Sequence, residues 1–466
     1  MPNRQELELS IMADSPAGIQ PLLDQFESES GIRVRLRLLA WDTAWSDLVK
    51  VGLYGDGPDV SEIGSTWLGD LVAMNAVRAF DEADIAQLER PSAFLPSAWQ
   101  GGRLAGQTQT WAIPWLAGAR LLFFRPALLA AAGLPAHPSF PAAAELDEAV
   151  GRLQAAGVPV PWTVPTGLTH TTLLNAASWV WAAGGDFITP DGKRTLFSQP
   201  EARAGLRQYF ALGRYLAPAV RRLTGLQPDQ QFLADPGTAM TISGPWMFRA
   251  LRERGLTDSV GVALSPGATF VGGSHLVVWK HSQQPEAVLK LIRFLIADAT
   301  QVAYSQRVGL LPTRLIALTA EPFASDPWWQ LAIRGLKTGR SFPVTRSWGL
   351  MEDRLTRELK ALWDEVLAQW QKLPTVLNGA VNEASARAKQ PGLYVLMSSL
   401  EIPLHSAGWN LVAYPVQETR AVTQALASIA GGYNTVYGYR ATDTADPWKV
   451  YAPAAPAWVN DLTELV

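Results

Sequence analysis

The chain begins with three successive units in which a short strand pattern is followed by a helix pattern. Apolar and polar residues alternate at 6–12 and again at 32–39, and apolar residues at helical spacing follow each segment. The third unit, residues 55–70 (GDGPDVSEIGSTWLGD), contains a predicted strand at 59–63 and leads into a predicted helix at 68–75. Because successive strand-helix units favour a parallel sheet covered by helices, this pattern predicts an α/β fold.

Polar and aromatic residues follow the ends of these three strands. In a parallel α/β sheet the ligand lies outside the carboxyl ends of the strands, so these residues are expected to line one rim. A sugar needs hydrogen-bond partners around the edge of its ring and a flat apolar surface against its face. The rim predicts a carbohydrate site that contains Asp14, Ser15, Trp41, Asp42, Ser65, Thr66 and Trp67.

The composition limits what else the chain can do. A length of 466 residues is enough for two or three domains. The formal net charge is -3, and interspersed charges of both signs provide no basic face for nucleic acid. The chain contains no cysteine, which excludes disulfides, thiol catalysis and cysteine-ligated metal sites.

The first residues leave the location of the protein open. Residues 1–13 (MPNRQELELSIMA) lack the basic start, the apolar run and the cleavage site of a secretory signal. Either a signal was removed ahead of this numbering or the protein is not exported by that route. No uninterrupted apolar run reaches about 18 residues, so no membrane-spanning segment is predicted.

Four further motifs follow along the chain, namely RLLFFR at 120–125, SGPW at 243–246, GGS at 272–274 and GLLPTR at 309–314. Together with residues 55–70, they resemble the sugar-binding family 1 type of ABC transporter extracellular (periplasmic) solute-binding proteins. The resemblance runs from about residue 6 to about residue 385.

This resemblance implies a two-lobed α/β fold with a hinge. The first lobe would comprise residues 1–124 and 268–318, and the second lobe residues 125–267 and 319–390. A ligand that bridges two lobes stabilises the closed state through contacts that the open state lacks. The implied function is carbohydrate binding and delivery to the permease subunits of an ABC importer. The number of tryptophans that are candidates for the site favours an oligosaccharide. A monomer with an extracellular, cell-surface or periplasmic location is expected.

Indole rings that follow a strand or open a helix are candidate platforms for a sugar ring. By this criterion the platforms are Trp41, Trp67, Trp115 and Trp246, and the resemblance places Trp246 in the cleft. Trp179 and Trp181 point about 200° apart on one helix, so only one can face the cleft, and we assign Trp181 to it. The resemblance adds Trp348 as a late aromatic. Packing in the core is the alternative for each of these rings.

Smaller polar groups complete the predicted site. His170 and Thr171 lie in a THTT run ahead of a predicted helix, where they can present an imidazole and hydroxyl groups. Gly273 precedes a predicted strand and lets the backbone approach a ligand closely. The alternative for the THTT run is a loop that only caps the following helix, because such a loop would have the same sequence pattern. His275 is expected to be a buried structural residue.

The sequence contains no phosphate-binding loop, zinc-protease motif or hydrolase nucleophile motif. The prediction is therefore a binding protein with no catalytic residue, no cofactor and no metal. One alternative is a glycoside-acting enzyme in which Asp14 and Asp42 supply the two carboxylates that such chemistry needs. Another is a ligand sensor or surface interaction protein with the same fold.

The pattern changes near residue 392, where strand-like alternation, glycines and tyrosines replace helical spacing. Residues 392–466 are predicted to form a small α+β or β-rich C-terminal module. This segment resembles modules near the ends of bacterial surface proteins.

Overall fold

The computed structural model describes residues 5–346, 348–368, 420–425, 427, 436–439, 448–453 and 462–465. The chain divides into two compact units, Met1–Ala384 and Ser385–Val466. Each unit is described by itself.

The strands of the first unit are β1 (Glu6–Met12), β2 (Arg33–Leu39), β3 (Val60–Gly64), β4 (Val77–Arg78), β5 (Ile113–Ala119), β6 (Leu121–Phe124), β7 (Met240–Ser243), β8 (Gly261–Leu264), β9 (Val271–Trp279) and β10 (Leu311–Pro312). Its helices are α1 (Gln20–Ser30), α2 (Trp41–Tyr54), α3 (Leu68–Ala73), α4 (Glu82–Leu88), α5 (Pro96–Gly101), α6 (Pro126–Ala131), α7 (Ala143–Ala155), α8 (Thr171–Ala182), α9 (Pro200–Ala211), α10 (Gln227–Ala234), α11 (Trp246–Glu253), α12 (Pro285–Leu295), α13 (Asp298–Val308), α14 (Pro327–Thr338) and α15 (Trp348–Ala368).

A seven-stranded sheet forms the centre of the first lobe. Its strand order is β10-β5-β9-β3-β1-β2, and β4 pairs with β9. Strand β1 is parallel to both β2 and β3, as the strand-helix pattern predicts. The carboxyl ends of these three strands therefore lie at the same edge of the sheet, where the candidate residues were expected.

The core of the first lobe forms because alternate side chains of the central strands face helices. Leu9 and Ile11 of β1 and Val60 of β3 are fully buried and belong to one apolar cluster with Ile292 and Leu295 of α12. This packing fixes the sheet edge that carries the candidate site.

A three-stranded antiparallel sheet with the order β7-β6-β8 forms the centre of the second lobe. The apolar residues at 158–164 predict a strand in this lobe, but the segment does not form a regular one. Val160, Trp162 and Thr163 form only isolated bridges to Thr238, Leu216 and Thr241. The segment reads VPVPWTVP, and its prolines lack the N–H groups that a regular ladder requires.

The chain passes between the two sheets at Arg120, which separates β5 from β6, and again between β8 and β9. The sequence analysis places the start of the second lobe at residue 125. In the structure, β6 already pairs with β7, so the second sheet begins before that residue. At the second crossing Gly273 has φ +149°, and an added Cβ would lie 2.1 Å from the carbonyl oxygen of Leu116. The close approach of β9 to β5 therefore requires glycine at this position.

Helix α15 connects the lobes. At its start, an added Cβ on Gly349 would lie 2.3 Å from Oδ2 of Asp70 in α3, so helix and carboxylate are in close contact. Near its end, the ring of Trp363 lies 4.6 Å from that of Phe210 in α9, between ring centroids. One rigid element thus contacts both lobes.

The described part of the second unit consists of short pairings. Strand β11 (Arg420–Ala421) pairs antiparallel with β14 (Glu464–Leu465), and β12 (Val436–Tyr439) pairs antiparallel with β13 (Trp448–Tyr451). A short helix, α16 (Val422–Ala425), follows β11. Most of the predicted module at 392–466 lies outside the described residues, and its resemblance to surface-protein modules stays a prediction.

Within the described residues, no helix is both long enough and apolar enough to span a membrane.

Candidate functional site

Three indole rings lie together at the predicted rim of the first lobe. Trp41 and Trp45 are one turn apart on α2 and therefore share a face of that helix. The ring centroid of Trp67, just before α3, is 5.7 Å from that of Trp41 and 5.7 Å from that of Trp45. We call these three residues the indole cluster. Trp41 is 46% exposed, so the cluster has a large apolar ring surface open to solvent.

The sequence prediction includes Trp41 and Trp67 but omits Trp45. The signal that could have identified Trp45 is its spacing of four residues from Trp41, which places both rings on the same side of the helix.

The loop before α3 comes close to the start of β9, as the prediction requires. The backbone N–H of Ser65 donates to the carbonyl oxygen of Gly273 at 3.1 Å. Ser65, Thr66 and Gly273 line a cavity together with Phe270 and Phe342. The cavity measures about 30 Å³, which is room for two or three water molecules at ~10–15 Å³ each. A sugar ring does not fit this space, so binding here requires the lobes to move apart.

A buried carboxylate holds the hydroxyl of Thr66 from the side of α15. Glu352 is 8% exposed, and burial raises its pKa to about 7, with a further rise from the charge of Asp70. A hydrogen bond from the Thr66 side chain partly offsets this rise. Burial also raises the pKa of Asp70 to about 6, offset in part by the backbone of Gly349. Two carboxyl groups therefore join α15 to the candidate site, Glu352 through Thr66 in the loop and Asp70 through α3.

On the second lobe, Trp246 opens α11, where the SGPW motif places it. Its indole N–H donates to Oδ2 of Asp229 at 2.8 Å, and the Ser243 hydroxyl donates to the same oxygen at 2.7 Å. The guanidinium of Arg120 lies over the indole ring, 5.1 Å from its centroid. An added Cβ on Gly309 would lie 2.8 Å from Cα of Trp246, so the start of α11 lies close to the segment that follows α13.

The structure corrects the assignment of three tryptophans as platforms, because each is buried and a covered ring has no free face. Trp115 is 0% exposed and stacks on Tyr304, with ring centroids 4.8 Å apart. Trp348 is 1% exposed and stacks on Phe342 at 4.3 Å. Trp181 is 7% exposed, packs on the same Phe342 and donates its indole N–H to Asp186 at 3.0 Å.

The remaining predicted residues are not brought to the indole cluster by any described contact. Asp14 and Ser15 are exposed, and the Ser15 hydroxyl accepts the N–H of Ala17 at 3.2 Å, which caps a short 3₁₀ helix. His170 is exposed and Thr171 half-buried at the start of α8. The side chain of Asp42 lies outside the described residues. The roles of these residues stay predictions.

His275 is a buried structural residue, as expected. Its Nε2 lies 2.9 Å from the carbonyl oxygen of Ala98. Burial lowers its pKa to about 4, so the imidazole is neutral at physiological pH. Among the described residues, no group of three or more histidine, cysteine or acidic side chains is arranged to hold a metal ion.

Two solved structures share this architecture. An ABC transporter solute-binding protein from Thermotoga lettingae TMO, bound with alpha-D-tagatose, superimposes with a TM-score of 0.71 at 21% identity. The match covers 82% of this chain and 99% of that one. The sugar-binding protein MalE from Xanthomonas citri gives a TM-score of 0.69 at 21% identity, covering 84% of this chain and 98% of that one. Both similarities establish the two-lobed solute-binding fold.

A similar relative and a family model agree with the fold. A protein of Deinococcus radiodurans named "Probable ABC transporter-binding protein" is 24% identical over 294 residues, which cover 59% of this chain and 68% of the relative. The family model described as "Bacterial extracellular solute-binding protein" matches residues 10–302, which is more than half of the chain. The chain therefore belongs to the family of bacterial extracellular solute-binding proteins.

Proposed function

We propose that this protein binds a carbohydrate, specifically an oligosaccharide, between its two lobes and delivers it to the permease subunits of an ABC importer. It acts as a monomer outside the cytoplasmic membrane, at the cell surface or in the periplasm. The ligand is returned unchanged, and the protein is not an enzyme.

The observation that carries this proposal is the indole cluster. Aromatic rings provide a large, flat apolar surface, and the C–H faces of sugars pack against such surfaces. Trp41 is exposed at the edge of the sheet. At the same edge, Ser65 can form hydrogen bonds with the hydroxyl groups of a sugar. Several adjacent indoles match the length of an oligosaccharide better than that of a single sugar. The alpha-D-tagatose bound by the Thermotoga lettingae neighbour is a single sugar and supports a carbohydrate as the ligand.

Hinge closure follows from how the lobes are joined. The chain crosses between the sheets at Arg120 and again ahead of β9, and the cavity between β9 and the loop before α3 is too small for a sugar ring as it stands. A ligand that enters after the lobes separate and then contacts both of them stabilises the closed state by those contacts.

The first experiment is a thermal-shift screen of the full chain against neutral and acidic mono- and oligosaccharides, followed by calorimetry on the hits and analysis for products. A ligand at a hundred times its dissociation constant adds about 2.7 kcal/mol of stability. A sugar that binds and is recovered intact supports the proposal, whereas a sugar that is consumed makes the protein a glycoside-acting enzyme. Failure of every carbohydrate to bind contradicts the proposal.

The second experiment replaces Trp41 with alanine. Removing an exposed stacking ring costs a sugar ligand roughly 0.5–1.5 kcal/mol, or up to about tenfold in affinity. Tyr54→Ala is the matched control, because Tyr54 is 79% exposed at the other end of the same helix. Equal affinity of both variants and the parent chain would contradict a role for the indole cluster.

A further inference from the structure

Arg120 holds a positive charge at the first crossing between the lobes. It is half-buried, its backbone N–H donates to the carbonyl oxygen of Phe270 at 2.9 Å, and Phe270 lines the cavity described above. Its guanidinium lies over the ring of Trp246. Contact with an indole face uses none of the five N–H donors of an arginine.

Arg120 differs from Arg125 and Arg314, the two arginines that are buried within the described residues. Arg314 is 7% exposed and is paired with Glu89 at 2.6 Å and with Asp298 at 2.9 Å. Arg125 is also 7% exposed and donates to the carbonyl oxygens of Phe232 and Thr238. Within the described residues, the Arg120 side chain forms neither an ion pair nor a hydrogen bond to a backbone carbonyl oxygen.

The carboxylate of Asp229, which attracts Arg120, does not neutralise this charge by direct contact. Asp229 attracts Arg120 electrostatically, but no oxygen of Asp229 comes within 4.0 Å to form an ion pair in the described structure. Its Oδ2 is already occupied by Ser243 and Trp246. Burial lowers the pKa of Arg120 to about 10, which leaves the side chain charged at neutral pH. A partly buried charge without a direct partner is costly, and such groups concentrate at binding sites.

We propose that the ligand carries an anionic group, a carboxylate or a phosphate, which Arg120 binds beside Trp246 on the second-lobe side of the cleft. This inference rests on the proposed carbohydrate-binding function and narrows its substrate class to acidic carbohydrates. The planar guanidinium fits carboxylate and phosphate oxygens in a paired geometry, and a low-exposure site strengthens such charge-assisted hydrogen bonds.

The test is calorimetry on the full chain with matched ligands, preceded by a thermal-shift panel. Each neutral mono- or oligosaccharide is compared with its uronic acid and with its phosphate ester, for example glucose with glucuronic acid and with glucose 1-phosphate. The acidic member of at least one pair is expected to bind roughly 10-fold to 100-fold more tightly, the range for a hydrogen bond to a charged group. Comparing the uronic acid with the phosphate ester shows whether the protein prefers a carboxylate or a phosphate.

The variant Arg120→Gln is expected to lose this preference, so that the acidic and the neutral member of a pair bind it with similar affinity. Arg254→Gln is the matched control, because Arg254 is exposed in the same lobe and its loss changes the net charge equally. Arg120→Lys keeps the charge and is expected to keep part of the preference.

Neutral sugars that bind as tightly as their acidic counterparts in every pair, or more tightly, overturn this inference and leave the proposed function standing. If Arg120→Gln lowers the affinity for acidic and neutral ligands equally, the inference is also overturned. Arg120 would then affect the shape of the binding site without recognising the anionic group. Absence of binding by every member of the panel overturns both proposals. If Arg120→Gln does not fold, the matched ligands on the parent chain decide the question alone.

Discussion

Replacing Glu352 with glutamine tests whether the contact between α15 and the candidate site depends on protonation. The carboxyl of Glu352 is 8% exposed, and its pKa is raised from 4.5 to about 7. A pKa difference of this size between the folded and unfolded states corresponds to about 3 kcal/mol of folding free energy.

The direction of the pH dependence of stability follows from which state, folded or unfolded, binds the proton more tightly. Because the folded pKa lies above the unfolded one, the stability linked to this group is fully present below pH 4.5 and is lost as the pH rises through about 7. Glutamine has nearly the same shape, its amide oxygen can accept the Thr66 hydroxyl, and it does not titrate. The variant should therefore match the parent chain near pH 4.5 and exceed its free energy of unfolding by up to about 3 kcal/mol at pH 8.

The assay is equilibrium urea unfolding, followed by circular dichroism, at several values between pH 4.5 and pH 8. Glu365→Gln is the control, because Glu365 lies exposed on the same helix. A stability difference between Glu352→Gln and the parent that does not change with pH would refute the reasoning. So would a variant less stable than the parent at pH 8, since the ionised carboxylate would then stabilise the fold.

Two further substitutions test packing claims. Trp115→Ala should lower the free energy of unfolding by about 3–5 kcal/mol, because Trp115 is fully buried against Tyr304. A loss of sugar affinity without a loss of stability would instead show that Trp115 stacks on the sugar. Gly273→Ala should destabilise the chain by about 1–3 kcal/mol or more, since its φ is +149° and a Cβ would meet the Leu116 carbonyl. A melting temperature equal to that of the parent chain would show that β9 and β5 can separate freely.

The order of strands and helices in the first lobe could be predicted because local signals were consistent. Alternation at β1 and β2, and the polar residues at the ends of the strands, depend only on neighbours in the sequence. The irregular segment at 158–164 was missed although the signal was present. Its alternating prolines rule out a regular ladder, and apolar composition alone suggested a strand.

The burial of individual tryptophans could not be predicted in the same way. Strand β5 reads IPWLAGA, which is apolar on both faces, so alternation does not say that Trp115 points into the core. Trp181 and Trp348 are both covered by Phe342, which is distant from Trp181 in sequence, and no local pattern reports that contact. Exposure of Trp41, in contrast, follows from its place at the first turn of a helix at the sheet edge.

The contacts of the loop before α3 link ligand binding to lobe position. Trp67 in this loop belongs to the indole cluster, Thr66 is held by Glu352 of α15, and α15 packs on the second lobe through Trp363. A sugar that stacks on the cluster therefore contacts a loop whose other side is attached to the helix that joins the lobes. Movement of the second lobe must change either the α15 contact or the loop. For this reason we expect Glu352→Gln, which leaves Thr66 its acceptor, to preserve sugar affinity, and Glu352→Ala, which removes the acceptor, to weaken it.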